Sequence, residues 1–296
     1  MAADSHRSRT VVFTAICIAC VLAVLEAGSF AVIAMTARIG EEQIRRTADI
    51  FEEQSLMIQK LLEPAPTLTQ LDSELGWRYR PGYRDSQNQM NLQGLRSTRE
   101  YATVPGPGVI RVAAFGDSFV YCNEVGNHDS WPTLMEAMSP SLEVLNYGVG
   151  GFGVDQAFLR YMNEGSMLSP DVVVMGFAPD DLRRLVNVYR RFISNREFPL
   201  IKPRFLLASD NDLQLLPNPA RQVSAYQRYL HQPASIIELG RHDQLYQPAV
   251  YENPLFDYSA TVRVLVTVAS RIYSRYLDPD RFFSAKVFNQ ESTAFR

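Results

Sequence analysis

The stretch VIRVAAFGDS, residues 109–118, decides the fold predicted for this chain. Its apolar run, Val109–Phe115, is typical of a buried strand, and it ends in Gly116-Asp117. Ser118 then falls on a sharp turn between that strand and a following helix. A serine there is exposed at the carboxyl edge of a sheet, close to backbone N–H groups that stabilise an oxyanion. Because Gly, Asp and Ser are also ordinary turn residues, the motif alone leaves Ser118 either a nucleophile or a turn residue.

Two further apolar runs, 142–146 and 171–177, predict strands that alternate with helices. One of these helices is predicted over residues 181–193, and a later one over residues 260–276. This alternation predicts an α/β domain with a doubly wound, flavodoxin-like parallel sheet in a three-layer α/β/α arrangement. In such a sheet the carboxyl ends of the strands meet at one edge, where ligands bind. The sequence therefore predicts one site built from three turns. These turns are Gly116–Ser118, Asn146–Gly151 and Gly176–Asp181.

On these turns the chain resembles the SGNH (GDSL-type) hydrolase family, over about residues 111–185. The resemblance implies that Ser118 is the nucleophile and that the backbone N–H of Gly151, or alternatively of Gly150, contributes to the oxyanion hole. The family's third turn carries an Asn-Asp pair whose asparagine is another oxyanion donor, and Asp180-Asp181 stands in its place. An ionised carboxylate only accepts hydrogen bonds. Asp180 thus leaves open a weakened enzyme, a substrate-binding role for Asp180, or a different donor.

The general base of that family is a histidine in an Asp-x-x-His motif near the C-terminus, and this chain has no such motif. Its four histidines are His6, His128, His231 and His242. Three explanations stay open. The sequence is a C-terminally truncated piece of a longer protein, with the histidine beyond Arg296; the protein is an inactive relative; or a histidine within 198–251 substitutes. His242-Asp243 and His128-Asp129 are the candidate pairs, and both are also typical of solvated loops.

The N-terminal part of the chain predicts a transmembrane helix. Residues 11–37 are apolar apart from Glu26 and a few small polar residues, and as a helix they would extend about 40 Å, enough for a hydrocarbon core of about 30 Å. Glu26 would cost about 3 kcal/mol at mid-membrane, so the uncharged run 11–25 also fits the core of a signal peptide. Arg7 and Arg9 favour a cytoplasmic N-terminus and a main domain that is periplasmic or extracellular.

Composition shifts divide the chain further. Residues 38–63 have the periodicity of an amphipathic stalk helix, which ends at Pro64-Ala65-Pro66. The predicted organisation is a tail (1–10), an anchor (11–37), the stalk (38–63), a linker and irregular cover (64–106), and an SGNH-like α/β domain (107–296) with an insertion at about 198–251 and its C-terminal part missing. Within the insertion, the runs 205–207 and 213–216 predict a hairpin.

Charge and composition limit the partners. The net charge of −3 gives no reason to expect nucleic-acid binding, and three cysteines allow neither a disulfide framework nor a zinc site. No metal or organic cofactor is implied. The sequence predicts a membrane-anchored serine esterase, or an acyl-transfer relative, acting on an acyl ester such as a cell-envelope glycan. The alternatives are an inactive binding or scaffold protein, and a dinucleotide-binding oxidoreductase through the G-x-G-x-x-G pattern of Gly148–Gly153. The oligomeric state is left open.

Overall fold

The computed structural model describes residues 2–39, 44–64, 66–207 and 212–272. The α-helices in these ranges are α1 (Ala2–Ile39), α2 (Thr47–Leu62), α3 (Ser118–Tyr121), α4 (Trp131–Met138), α5 (Val154–Glu164), α6 (Pro179–Leu185), α7 (Val223–His231), α8 (Pro248–Tyr251) and α9 (Ala260–Ile272). The strands are β1 (Thr69–Asp72), β2 (Gly76–Tyr79), β3 (Ile110–Phe115), β4 (Leu142–Asn146), β5 (Val172–Met175), β6 (Arg204–Leu207) and β7 (Leu213–Leu216). Short 3-10 helices cover Asn127–Asp129, Arg190–Phe192, Pro233–His242 and Pro254–Phe256.

The described chain forms two compact units, and the boundary between them falls within α2. The first unit comprises residues up to 53 together with 247–272, and the second comprises residues 54–246. This division differs from the predicted domains. The cover segment 64–106 belongs to the unit that contains the parallel sheet, whereas α9, predicted within the α/β domain, belongs to the unit that contains α1. The remainder of the helix predicted there, residues 273–276, lies outside the described residues.

The first unit is built around α1. Between Ser8 and Arg38 this helix is long and apolar enough to cross a membrane, and it contains the predicted anchor 11–37. The predicted tail is itself helical from Ala2, as part of the same helix. Of the stalk predicted over 38–63, residues 38–39 belong to the end of α1 and Thr47–Leu62 form α2; residues 40–43 lie outside the described residues.

The second unit contains the parallel sheet that the sequence predicted. Its strand order is β4-β3-β5, with Ala113 opposite Leu145 on one side and Val173 on the other. The central strand β3 carries the most buried residues, because both of its edges are paired. The outer strand β5 is half-exposed, with Val172, Val173 and Val174 each at least 40% accessible.

Two segments of the second unit differ from the prediction. The cover, predicted to be irregular, contains the antiparallel hairpin β1-β2, which buries Trp77 and Tyr79 against Phe152. The helix predicted over 181–193 ends at Leu185, because the buried carboxylate of Asp243 accepts the backbone N–H groups that follow it. The hairpin predicted around 205–216 is confirmed as β6-β7; its tip, 208–211, lies outside the described residues.

Candidate active site

The first turn places Ser118 at the start of a short helix. Gly116-Asp117 connects the end of β3 at Phe115 to α3, whose first residue is Ser118. The carboxylate of Asp117 accepts the N–H of Phe119 at 2.9 Å and so caps this helix. Ser118 is half-buried, and among the described residues neither its hydroxyl nor its backbone N–H has a hydrogen-bond partner. Both groups are therefore unused by the fold.

The three predicted turns contact one another because glycines occupy the places where their backbones meet. A Cβ atom on Gly116 would lie 2.4 Å from a methyl carbon of Val120 and 2.6 Å from the carbonyl oxygen of Gly176. A Cβ atom on Gly148 would lie 2.3 Å from the backbone nitrogen of Tyr121. Such distances leave no room for a side chain. The second and third turns consequently pack directly against the segment that carries Ser118.

Two backbone hydrogen bonds extend the strand pairing into the turns. The N–H of Val149, in the second turn, donates to the carbonyl of Gly116 at 3.0 Å. The N–H of Gly176, in the third turn, donates to the carbonyl of Phe115 at 2.9 Å. The second and third turns are thereby bonded to the end of β3 and the turn after it, which fixes their positions relative to Ser118.

One guanidinium group connects all three turns. Nη1 of Arg184, on α6, donates to the carbonyl of Phe152 at 2.9 Å and lies 2.5 Å from the carboxylate of Asp181. The same nitrogen lies 3.7 Å from Oδ2 of Asp117. Arg184 was not among the residues predicted from the sequence. The available signal was the spacing of an aspartate and an arginine three residues apart on the helix that follows the third turn.

The two aspartates of the third turn have different environments. Asp180, the predicted site residue, is exposed in the first turn of α6. Asp181 is buried, and its carboxylate accepts the N–H of Ala178 at 2.9 Å. Burial, and secondarily the negative charge of the neighbouring Asp117, raises the pKa of Asp181 to about 6. The carboxyl group that reaches the first turn is thus that of Asp181, and the role of Asp180 stays a prediction.

The second turn distinguishes the two glycines that sequence analysis proposed for the oxyanion hole. The N–H of Gly150 already donates to the hydroxyl of Tyr79 at 2.9 Å. The N–H of Gly151 has no partner among the described residues. Gly151 has a φ of +79°, a conformation that favours glycine. Gly151 is therefore the better candidate, because its donor is unused.

The direction of the Gly151 N–H is set by Trp77. The buried indole Nε1 of Trp77 donates to the carbonyl of Gly150 at 3.1 Å. That carbonyl belongs to the same peptide group as the N–H of Gly151, and in a trans peptide the two point in opposite directions. Holding the carbonyl thus holds the donor. Trp77 lies in the cover segment, far from any recognisable motif, so this role could not be predicted from the sequence.

A second cation holds the other side of Gly151. Nη1 of Arg190 donates to the carbonyl of Gly151 at 2.6 Å, and Nη2 bonds to Glu197 at 2.6 Å. The guanidinium also lies 6.0 Å from the centroid of the Trp77 ring. Burial lowers the pKa of Arg190, and the Glu197 carboxylate opposes that shift. Both peptide groups that flank the α-carbon of Gly151 are consequently fixed by side chains.

The predicted substitute bases do not reach Ser118 in the described part of the chain. His128, His231 and His242 are exposed, and none hydrogen bonds to Ser118; the side chain of His6 lies outside the described residues. His242 instead lines an open cleft of about 950 Å³ beside Arg204 and the β6-β7 hairpin. Its neighbour Asp243 accepts the N–H groups of the segment after α6, and burial raises the pKa of that carboxyl.

Within the described residues, no group of three His, Cys, Asp or Glu side chains is arranged to hold a metal ion. No protein-family model matches the chain, and no curated protein is significantly similar to it. The arrangement itself is an unused serine hydroxyl on a turn, two unused backbone N–H groups, and a cation that connects the three turns. Chemically, this set fits attack on a carbonyl carbon and stabilisation of the resulting oxyanion.

Proposed function

We propose that this protein is a membrane-tethered ester hydrolase, or an acyl-transfer relative, of the SGNH (GDSL-type) family, and that Ser118 is its nucleophile. The observation that carries the proposal is the combination of three unused groups on turns that contact each other: the Ser118 hydroxyl and the N–H groups of Ser118 and Gly151. The proposal extends the observed parallel sheet to the doubly wound, three-layer, flavodoxin-like fold of that family.

The reaction proceeds in two steps of the same kind. Oγ of Ser118 attacks the acyl carbonyl carbon, its proton passes to a base, and the C–O bond to the leaving alcohol breaks as the alcohol takes up that proton. Water then releases the acyl group as a carboxylic acid, or a second alcohol accepts it as a new ester. In both steps the carbonyl oxygen becomes negatively charged, and the N–H groups of Ser118 and Gly151 stabilise it.

The membrane-spanning role of α1 provides the location. With Arg7 and Arg9 on the cytoplasmic side, α1 is a single-pass anchor and the second unit lies outside the cytoplasm. An acylated cell-envelope glycan is the substrate class that such a location favours. Labelling single cysteines on either side of α1 with a membrane-impermeant reagent tests the orientation. Modification of the N-terminal side alone in intact cells would contradict it.

Hydrolysis of a short-chain aryl acetate tests the nucleophile, using the full chain in lipid nanodiscs. Because no described histidine contacts Ser118, free imidazole is added as the base. We expect the rate to rise with imidazole and to fall roughly a hundredfold in Ser118→Ala, to the rate of imidazole alone. Equal rates for both proteins at every imidazole concentration would exclude Ser118 as the nucleophile and favour a binding or scaffold role.

Trp77 tests the oxyanion hole separately. Trp77→Phe keeps an aromatic ring in the core but removes the hydrogen bond that orients the Gly151 peptide group. We expect kcat to fall about tenfold with little change in KM, because the lost orientation matters chiefly when negative charge develops. Tyr83→Phe is the matched control, since Tyr83 packs on the same core cluster and loses only a hydrogen bond to exposed Asp85. Equal effects of the two variants would remove Trp77 from the site.

The dinucleotide alternative finds no support in the geometry of the second turn. A dinucleotide requires its phosphates to approach the glycine backbone closely. The backbone of Gly148 is packed against Tyr121. The N–H of Gly150 donates to Tyr79, and its carbonyl accepts from Trp77. These contacts occupy the space that the phosphates would need.

A further inference from the structure

The interruption of the apolar run by Glu26 has a structural explanation in the first unit. The carboxylate of Glu26 accepts the hydroxyl of Ser259 at 2.8 Å, the N–H of Thr261 at 3.1 Å, and the N–H of Ala260. These donors form the N-terminus of α9, where the first N–H groups of a helix have no partner within the helix itself. The helix dipole also favours a negative charge at that end. Glu26 is therefore the acceptor that α9 requires.

Two other contacts hold the helices side by side. The hydroxyl of Ser29, one turn after Glu26, donates to the hydroxyl of Thr261 at 3.2 Å. Arg263, buried on the inner face of α9, lies 5.9 Å from the centroid of the Phe30 ring. Its guanidinium donates to the carbonyl of Phe256 at 2.8 Å, so the charge is bonded within the unit. Through Thr261 and Arg263, α9 thus contacts α1 and the segment before α9.

The face of α9 opposite Arg263 is apolar and exposed. Leu265, Val268 and Ile272 are 62%, 46% and 51% exposed, and their spacing places them on one side of the helix. Tyr258, just before α9, is 85% exposed. Exposed apolar side chains also cover α1, as at Val21, which is 59% exposed. The exposed face of α9 is therefore apolar, like the surface of α1, the helix predicted to lie in lipid.

We propose that α9 is a second membrane-contacting element, which lies in the interfacial region of the bilayer with Leu265, Val268 and Ile272 against the acyl chains. The proposal rests on the membrane anchoring of α1. The described part of α9 is roughly 20 Å long at about 1.5 Å per residue, less than the thickness of a core of about 30 Å. An amphipathic helix of this kind lies in the interface, with aromatic residues such as Tyr258 at the headgroup level.

The position of Glu26 along α1 agrees with an interfacial α9. Glu26 lies about 22 Å along the helix axis from Val11, at which the apolar run begins. If Val11 marks the cytoplasmic boundary, Glu26 falls in the outer third of a core of about 30 Å. The N-terminus of α9 is bonded to that level of α1. A carboxylate at that depth is costly unless it is hydrogen-bonded, and α9 supplies the donors.

The experiment measures contact with lipid directly. The native residues Cys17, Cys20 and Cys122 are replaced by serine, and an environment-sensitive fluorophore is attached to a single cysteine at Leu265→Cys or, as the anchor control, Val21→Cys. The full chain is reconstituted in phosphatidylcholine vesicles with and without nitroxide-labelled lipid. We expect nitroxide lipid to quench both labels at least twofold more strongly than it quenches the glutathione adduct of the fluorophore.

The outcomes separate the two proposals. Quenching at position 21 without quenching at 265 would overturn the membrane contact of α9 and leave the anchor standing. Quenching at neither position would overturn both. A third outcome is a label at 265 that is shielded from water but insensitive to nitroxide lipid, and that becomes exposed on dilution with unlabelled lipid. This result would show that a second copy covers this face, and it also overturns the proposal. Ester hydrolysis in Ser118 variants is measured independently of these labels.

Glu26→Leu tests the hydrogen bonds that hold α9. Leucine keeps α1 apolar but offers no acceptor to Ala260 and Thr261. We expect quenching at position 265 to fall by about half, whereas quenching at position 21 is retained. Glu52→Leu, which removes an exposed carboxylate from α2, is the matched control and leaves both labels unchanged. If Glu26→Leu and Glu52→Leu behave alike at position 265, Glu26 does not hold the helix.

Discussion

Glu26 in the first unit and Asp181 in the second are both carboxylates that accept N–H groups at the start of a helix, but they reach their donors in different ways. Asp181 accepts the N–H of Ala178, three residues earlier in the chain, and has Arg184 beside it as a cation. Glu26 accepts from residues more than 230 positions away, and its hydrogen-bond donors are all neutral.

The difference shows how a carboxylate that accepts backbone N–H groups can be recognised in a sequence. A carboxylate balanced within one turn of helix leaves a local pattern, here an aspartate followed three positions later by an arginine. A carboxylate balanced by the N-terminus of a distant helix leaves only a defect in an apolar run. In the sequence, Glu26 is therefore a charged residue that disfavours membrane insertion. In the structure, it is the acceptor of hydrogen bonds from a helix that is distant in the chain.

In the second unit, the largest expected loss of stability follows from removing the guanidinium group of Arg184. Arg184→Met keeps much of the side-chain volume but leaves the buried carboxylates of Asp117 and Asp181 without it. We expect the free energy of unfolding to fall by about 3–5 kcal/mol, as when one partner of a buried ion pair is deleted. Urea unfolding followed by tryptophan fluorescence measures this unit alone, because Trp77 and Trp131 both lie in it.

Arg221→Met is the control for this variant. Arg221 is 57% exposed and lies 3.8 Å from an equally exposed Glu74. Its loss should change stability by no more than about 0.5 kcal/mol. Comparable unfolding curves for Arg184→Met and Arg221→Met would show that Arg184 does not hold the turns together.

The pH dependence of stability tests the environment of Asp181. The pKa of this carboxyl is raised to about 6 in the folded protein, against about 4 in an unfolded chain. Between these values the folded state binds more protons than the unfolded state, so this group makes stability fall as pH rises from about 4 to 6. Asp181→Asn should remove that part of the slope. Parallel stability curves for wild type and variant over this range would contradict the assignment.

Asp117→Asn separates the effect of charge from that of burial. The charge of Asp117 is a secondary cause of the raised pKa of Asp181, after burial. We expect the pH-dependent loss of stability to move to lower pH in this variant while remaining present. An asparagine still offers an oxygen to the N–H of Phe119, so the cap of α3 is retained. An unchanged midpoint would show that the two carboxyl groups do not interact.

The smallest expected effect lies in the first unit. Ser29→Ala removes the hydrogen bond to Thr261 but leaves the bonds of Glu26 intact. A hydrogen bond between helices in a membrane is worth about 0.6 kcal/mol on average. We therefore expect amide hydrogen exchange within α9 to accelerate about threefold in nanodiscs, with α5 as an internal reference. A change of tenfold or more would mean that Ser29, and not Glu26, carries the contact.

The sequence was most informative where the determining interactions are local. The apolar runs predicted β3, β4 and β5 and their parallel pairing, and the strand ends predicted that the three turns would lie at one edge of the sheet. These features depend on the strand period and on the topology of a parallel sheet. The same patterns located the candidate nucleophile Ser118, whose catalytic role stays a prediction.

The supporting interactions could not be predicted, because they depend on tertiary contacts. Trp77 reaches Gly150 from a hairpin that lies 73 residues earlier in the chain, and its segment has too many glycines and arginines to read as strands. Arg190 resembles any surface arginine in the sequence. Its bond to the carbonyl of Gly151 becomes visible only when the segments are packed together.

The separation of 234 residues between Glu26 and Ala260 has a consequence for the order of assembly. A ribosome adds about 5–20 residues per second, so α9 begins to exist roughly 12–47 seconds after Glu26 has been made. Throughout that interval the carboxylate of Glu26 lacks the donors that α9 supplies, and other groups or water must take their place. The contact between α9 and α1 therefore forms late in the assembly of this unit, after α1 has been made.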